Sequence, residues 1–160
     1  MKPRVGVIVG SQSDLPVMAR CLEQLQEFGI EAEVKVASAH RDPEAVRQWA
    51  MAAEHDGLEL IIAAAGGAAH LPGVVAAWVN IPVIGVPLAS TPLAGQDSLL
   101  SIVQMPSGVP VATMAIGDAG ASNAAFFAAR VLAARHPKVG QAHLAVRQRL
   151  RERAKEPGTS

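Results

Sequence analysis

The sequence predicts an open α/β fold, a five-stranded parallel sheet wound on both sides by helices into three layers. Short β-branched runs alternate with longer alanine-rich stretches, as βαβ units around a parallel sheet require. Small-residue loops carrying His40 and His70 each follow a run that reads as a buried strand. They should therefore emerge at the carboxyl edge of the sheet, where open α/β proteins bind ligands. At 160 residues the chain fits one domain, residues 1–160, large enough for one core without disulfide or metal staples.

Taken in order, the first strand spans Arg4 to Val9 and feeds a helix from Leu15 to Phe28 that carries Pro16 in its first turn and stops at Gly29. A second strand, Glu31 to Ala37, precedes a helix from Pro43 to His55. Asp42 is a good N-cap residue there, Pro43 suits the first turn, and Gly57 falls where a C-cap belongs. The third strand, Leu58 to Ala64, is followed by a helix from His70 to Trp78, and a fourth, Val83 to Val86, by an amphipathic helix from Leu93 to Gln104 that ends before Pro106. A last strand, Val111 to Ile116, leads to helices from Asn123 to Arg135 and from Gln141 to Lys155, with a polar tail, Glu156 to Ser160, expected to fray.

Composition excludes several classes of function. Fourteen Lys plus Arg balance fourteen Asp plus Glu, so no general pull toward nucleic acid or acidic membranes is expected. No apolar run reaches the length of a membrane span, and Met1-Lys2-Pro3-Arg4 enters the first strand without a signal-peptide pattern. Cys21 is the one cysteine, which rules out an intramolecular disulfide and makes a reducing cytoplasm the expected compartment. It reads as a small buried residue on a helix.

Half of the chain is hydrophobic, much of it alanine, with two Trp, three Phe and no Tyr. Alanine buries little area per residue, so a homo-oligomer is expected. Ala124, Ala125, Ala128, Ala129, Ala133 and Ala134 make one helix apolar on most sides, the pattern of a helix buried on more than one face. By contrast Arg147, Arg149, Arg151, Arg153 and Lys155, beside a thin stripe around Leu144 and Leu150, read as a solvated face.

Three loops carry candidate chemistry. Gly10-Ser11-Gln12-Ser13-Asp14 lies between a strand and a helix, where free N–H groups, the helix dipole and hydroxyls attract phosphate. Ser13 or Asp14 could equally be a plain N-cap. No Gly-x-Gly-x-x-Gly and no Walker-type motif is present, against a dinucleotide or ATP. In Ser38-Ala39-His40-Arg41 an imidazole sits beside a guanidinium that can grip phosphate by a two-pronged hydrogen bond; an ordinary hydrogen-bonded loop histidine is the plain alternative. Gly66 and Gly67 next to His70 let backbone amides approach a ligand closely. Neither histidine has a companion ligand at short spacing, so no metal site is expected.

Together with Asp97-Ser98-Leu99-Leu100-Ser101-Ile102-Val103-Gln104-Met105-Pro106, the segments Gly10-Ser11-x-Ser13-Asp14, Ser38-Ala39-His40-Arg41 and Ala65-Gly66-Gly67-Ala68-Ala69-His70-Leu71-Pro72-Gly73 give the chain a resemblance over nearly its whole length. It resembles the N5-carboxyaminoimidazole ribonucleotide mutases of purine biosynthesis, class I of their family. The resemblance implies a flavodoxin-like subunit, an octamer with active sites near subunit contacts, and transfer of a carboxylate from the exocyclic N5 to ring carbon C4 without ATP, metal or organic cofactor. It implies further that Ser11, Ser13, Asp14, Ser38, Ala39 and Arg41 hold the ribonucleotide. His40 is then the proton shuttle and is catalytic together with His70; the Gly66-Gly67 backbone and His70 line the carboxylate and carbon dioxide pocket, and Ala69 and Leu71 also bind substrate. Leu15, Asp42 and Ala64 depart from the common pattern of that family and remove no polar site group. Arg41 and the intact Gly66 to His70 run separate the chain from the related carboxylase branch, which carries lysine at the first position and lacks the run. A five-stranded fold holding flavin mononucleotide is the alternative from another class, disfavoured because only Trp49 and Trp78 are present for ring stacking.

Overall fold

The computed structural model describes residues 2–155. Five parallel strands, β1 (Arg4–Val9), β2 (Glu31–Val36), β3 (Leu60–Gly66), β4 (Val83–Leu88) and β5 (Ala112–Thr113), stand in the order β2-β1-β3-β4-β5. That order, with helices on both faces, is the doubly wound flavodoxin-like arrangement. The helices are α1 (Leu15–Glu27), α2 (Pro43–Ala53), α3 (Leu71–Ala76), α4 (Gln96–Val103), α5 (Asp118–Ala133) and α6 (Pro137–Arg153). The tail from Glu156 to Ser160 lies outside the described residues.

Alternation along the central strands splits the core in two. Val5, Val7, Leu60, Ile62, Ile84 and Val86 face α1 and α5, where Met18, Leu25, Phe28 and the buried alanines of α5 meet them. Ile8, Ile61, Ala63 and Val83 face the opposite side, against Val46, Ala50, Val75 and Ile102. As its composition predicts, α5 is enclosed on several sides: Ala121, Ala124, Ala125, Ala128 and Ala129 are fully buried. Cys21 is buried in this layer, and loss of hydration pushes its thiol up to about 12, so it stays protonated at neutral pH.

Helices α1 and α2 stop one and two residues short of the predicted Phe28 and His55, and the chain turns out of each at the expected glycine, Gly29 and Gly57, both in the left-handed region (φ 74° and 83°). In each case the residue after the glycine donates back to the last full turn, Ile30 N to Leu25 O and Leu58 N to Ala53 O, both 2.9 Å. That second contact removes Leu58 from the strand, so β3 starts two residues later than predicted and runs on to Gly66.

Other boundaries differ for local reasons. Strand β4 passes through Pro87 to Leu88 instead of stopping at Val86. The Pro87 carbonyl faces the β5 side, accepting Gly117 N–H at 2.9 Å. The missing proline N–H therefore falls where β5, shortened from the predicted Val111 to Ile116, has already ended. Helix α4 starts at Gln96, because Ala94 (φ 51°) and Gly95 (φ 86°) are left-handed and cannot extend it backward to Leu93. The helix predicted from Asn123 begins at Asp118; a Cβ on Gly120 would lie 1.7 Å from the Ala115 carbonyl oxygen, so the glycine that weakens the sequence signal is demanded by packing. Likewise α6 begins at Pro137, ahead of the predicted Gln141, with the proline in its first turn. Helix α3 is shorter than predicted, Leu71–Ala76, with His70 as its N-cap residue.

Candidate functional site

Loops leaving β1, β2, β3 and β4 enclose a cleft of about 380 Å³ at the carboxyl edge. After β1, Ser11 turns the chain into a short 3-10 turn, Gln12–Asp14, and caps it: its Oγ accepts the Ser13 amide at 3.3 Å and the Ser13 hydroxyl at 2.9 Å. With two donors already accepted, the Ser11 hydroxyl keeps its own hydrogen for a ligand. Asp14 occupies the N-cap position of α1, as one of the two residues expected there, but its side chain makes no capping bond; Ser11 caps the 3-10 turn ahead of it. Burial raises the Asp14 carboxyl above its ordinary value, opposed in part by a backbone hydrogen bond at Ser11.

The second loop is fixed by Ser38, whose carbonyl accepts Asp42 N–H at 2.9 Å and whose Oγ accepts Arg41 N–H at 3.3 Å. Asp42 in turn caps α2 through Ala45 N–H at 3.1 Å, as expected of it. These contacts pin the backbone and leave His40 and Arg41 exposed. The guanidinium reaches back to the first loop, with Nη2 3.5 Å from the Gly10 carbonyl oxygen, and has no carboxylate partner among the described residues.

In the third loop Gly67 is left-handed (φ 60°), and two tight turns follow, Ala69 N–H to Gly67 O at 2.9 Å and His70 N–H to Ala68 O at 2.8 Å. They swing His70 onto His40. Nε2 of His40 and Nδ1 of His70 are 2.8 Å apart, with the rings nearly perpendicular at 87°. Such a contact holds one hydrogen, so one ring donates and the other accepts. The outer nitrogens, Nδ1 of His40 and Nε2 of His70, remain as the other two proton positions of the pair.

Of the predicted residues, Ser11, Ser13, Asp14, Ser38, Ala39, His40, Arg41, Gly66 and Leu71 line the cleft. His70 joins them through His40, Gly67 turns the loop, and Ala69 is buried beneath it, 1% exposed. The segment from Asp97 to Pro106 does not line the cleft; it braces it from behind. Ile102 packs where a Cβ on Gly85 would be, and Met105 Sδ lies 3.0 Å from the Cβ position of Gly73 in α3. Four further residues line the cleft: Gly10, Ala65 and Ala68, which belong to the same loop motifs, and Ser90, which lies outside all of them. Ser90 follows β4 at the same sheet edge, and the signal was hidden by the proline that seemed to end that strand. Among the described residues no group of three or more His, Cys, Asp and Glu side chains is placed to hold a metal ion, and no helix is long and apolar enough to cross a membrane.

A paired imidazole, a loop of hydroxyls and a guanidinium without a carboxylate partner among the described residues gather at the edge of a doubly wound sheet, groups able to hold an anion and to carry a proton. The chain belongs to the AIR carboxylase family, whose model matches residues 4–153. It is 57% identical to the N5-carboxyaminoimidazole ribonucleotide mutase of Pseudomonas aeruginosa over 142 residues, covering 89% of this chain and 87% of the relative. The Mycobacterium tuberculosis protein of that name is 58% identical, with 93% and 84% covered. A crystal structure of Treponema denticola PurE superposes with a TM-score of 0.84 at 28% identity, covering 96% of this chain and 94% of that one.

Proposed function

We propose that this chain converts N5-carboxyaminoimidazole ribonucleotide to 4-carboxy-5-aminoimidazole ribonucleotide, a step of purine synthesis, in the cytoplasm and as a homo-oligomer, an octamer. The relatives bearing the mutase name, at 51 to 58% identity, support the activity. The observation that carries the mechanism is the 2.8 Å contact between His40 and His70. In the first half-reaction the bond between N5 and the carboxylate carbon breaks. Its electron pair stays on N5, which takes a proton from His40, and carbon dioxide is released into the cleft. In the second, C4 attacks that carbon dioxide, and the C4 proton returns to His40. No net proton is consumed, so one group able to give and then take serves both halves. His70 supports the exchange by holding the His40 ring and by sharing its hydrogen.

Ser11, Ser13, Asp14, Ser38, Ala39 and Arg41 hold the ribose and phosphate. Arg41 is suited to phosphate because its guanidinium meets one backbone carbonyl at 3.5 Å and no carboxylate among the described residues, and Ser11 because its hydrogen is free. Gly66 and Gly67, with Ala69 and Leu71, form the wall beside the carboxylate. Water must be kept out while carbon dioxide is free, and closed small-residue loops do this. No cofactor is required by this chemistry.

Incubation of the purified protein with the carboxyamino ribonucleotide, without ATP or added bicarbonate, should give the C4 carboxylate as the product. The family description favours a second reading, direct carboxylation of aminoimidazole ribonucleotide by carbon dioxide. Efficient turnover of that substrate at low bicarbonate, with none of the carboxyamino substrate, would establish the second reading in place of the first.

A further inference from the structure

We infer that Ser90 is a ligand-binding residue of the cleft, donating its hydroxyl to the migrating carboxylate across from Gly66, and that Asp97 is the positioning residue that sets it there. The inference rests on the mutase reading above and deepens it.

Three observations lead to it. Ser90 is exposed to the cleft, and its hydroxyl makes no hydrogen bond among the described residues. Second, it stands directly over the Gly66 backbone, since a Cβ on Gly66 would fall 1.9 Å from Ser90 Oγ and 2.8 Å from Ser90 Cβ. The absence of a side chain at position 66 is what gives the hydroxyl its place, so the wall assigned to the carboxylate carries a donor as well as backbone. Third, the neighbouring hydroxyls of Thr91 and Ser98 are committed. Thr91 donates its hydroxyl hydrogen to Asp97 Oδ2 at 2.6 Å and accepts Leu93 N–H at 3.2 Å. Buried Ser98 donates within reach of the carbonyls of Leu88 (2.8 Å) and Gly95 (2.9 Å), tying the end of β4 to the start of α4. Within this loop Ser90 alone is left to serve a ligand.

The Thr91 hydrogen bond holds the Asp97 carboxyl below its ordinary value, so the tie persists as a charge-assisted one. Oδ1 of Asp97 is buried without a partner among the described residues, so the bond to Thr91 is the side-chain link through which Asp97 restrains the loop. With Thr91 clamped, the adjacent Ser90 has a defined position.

A neutral hydroxyl suits the chemistry better than a cation at this point. Decarboxylation discharges the carboxylate, and a cation bound to it would stabilise the starting state more than the transition state. A hydroxyl can donate to the N5 carboxylate, stay beside an oxygen of carbon dioxide, and donate again once the C4 carboxylate has formed. Its function is then to keep carbon dioxide in place between the two half-reactions.

The test uses the full-length protein and substrate carrying 13C in the N5 carboxylate, in excess unlabelled bicarbonate. Product label and released aminoimidazole ribonucleotide are measured together, beside KM. Ser90→Ala should raise KM by up to about tenfold, as expected for one lost hydrogen bond to the substrate carboxylate, and should raise the release of aminoimidazole ribonucleotide relative to labelled product by a similar factor. Ser90→Thr, which keeps the hydroxyl, should retain label. If Ser90→Ala does not fold, Ser90→Cys, close in size and a weak donor, takes its place with the same expected release. Asp97→Ala should shift the same ratio, and Asp97→Asn, whose carbonyl oxygen still accepts from Thr91, should restore it; a loss of stability alone would not move this ratio. Wild-type partitioning in Ser90→Ala or its Cys substitute, beside an active wild type, overturns the role of Ser90. Wild-type partitioning in Asp97→Ala overturns that of Asp97. An inactive wild type overturns the mutase reading and this inference with it.

Discussion

The two edges of the sheet use the same residue types in opposite ways. Toward the amino edge, charges are matched. Arg4 meets Glu33 at 2.9 Å and the Asp56 carbonyl, Glu33 also accepts the Trp49 indole N–H at 2.9 Å, and His136 lies 2.8 Å from Glu59. At the carboxyl edge Arg41 meets only a carbonyl at 3.5 Å, and His40 meets another imidazole. A histidine beside a carboxylate, with both side chains about a fifth exposed, is a structural joint between the α5–α6 turn and the sheet. A histidine beside a second histidine can exchange its hydrogen without breaking an ion pair. Polar groups that are satisfied stabilise the protein, and those left with free donors await a ligand.

That contrast can be broken most severely at His40. His40→Asn should keep fold and assembly, because the ring is exposed, yet reduce kcat by at least about a thousandfold, since asparagine forms hydrogen bonds but cannot give up and take back a proton near neutral pH. Near-native turnover in a steady-state assay would remove His40 from the chemistry. His70→Asn should be milder, one or two decades in kcat, because it takes away the partner and leaves the shuttle. Equal losses for the two variants would make His70 a second acid–base group.

Arg41→Lys should raise KM about tenfold with kcat little changed, as one prong of a two-pronged phosphate contact is lost. An unaltered KM would take Arg41 out of the phosphate site. At the other edge Glu59→Gln should lower stability by about 1 kcal/mol in urea unfolding, the scale of one partly buried hydrogen bond, with kcat and KM unchanged. Impaired turnover there would erase the division of labour between the edges.

How far this division could be read from the chain depends on the range of the interactions. Both ends of β1 and the start of β2 follow from local apolar runs, and the caps at Asp42, Gly29 and Gly57 follow from local backbone chemistry. Position at the carboxyl edge came with the strands, so Ser11, Ser38, His40 and Arg41 were all placed in advance. Ser90 was not, because Pro87 mimics a strand end unless one knows that its missing N–H faces the short side of β5. The onset of α5 was concealed similarly, by a glycine at position 120 whose reason lies in the Ala115 carbonyl. Nor could the sequence show that His40 and His70, thirty positions apart, share one hydrogen. Resemblance supplied their roles; only the folded loops supply their contact.

The proposed reaction requires carbon dioxide to remain in the carboxyl-edge cleft between its release from N5 and its capture at C4. A single-turnover reaction of the wild-type protein with substrate labelled at the N5 carboxylate, in excess unlabelled bicarbonate, tests this directly by mass spectrometry of the product. Most of the label should appear in the C4 carboxylate. Complete washout of label into bicarbonate, with the product carrying only unlabelled carbon, would contradict it.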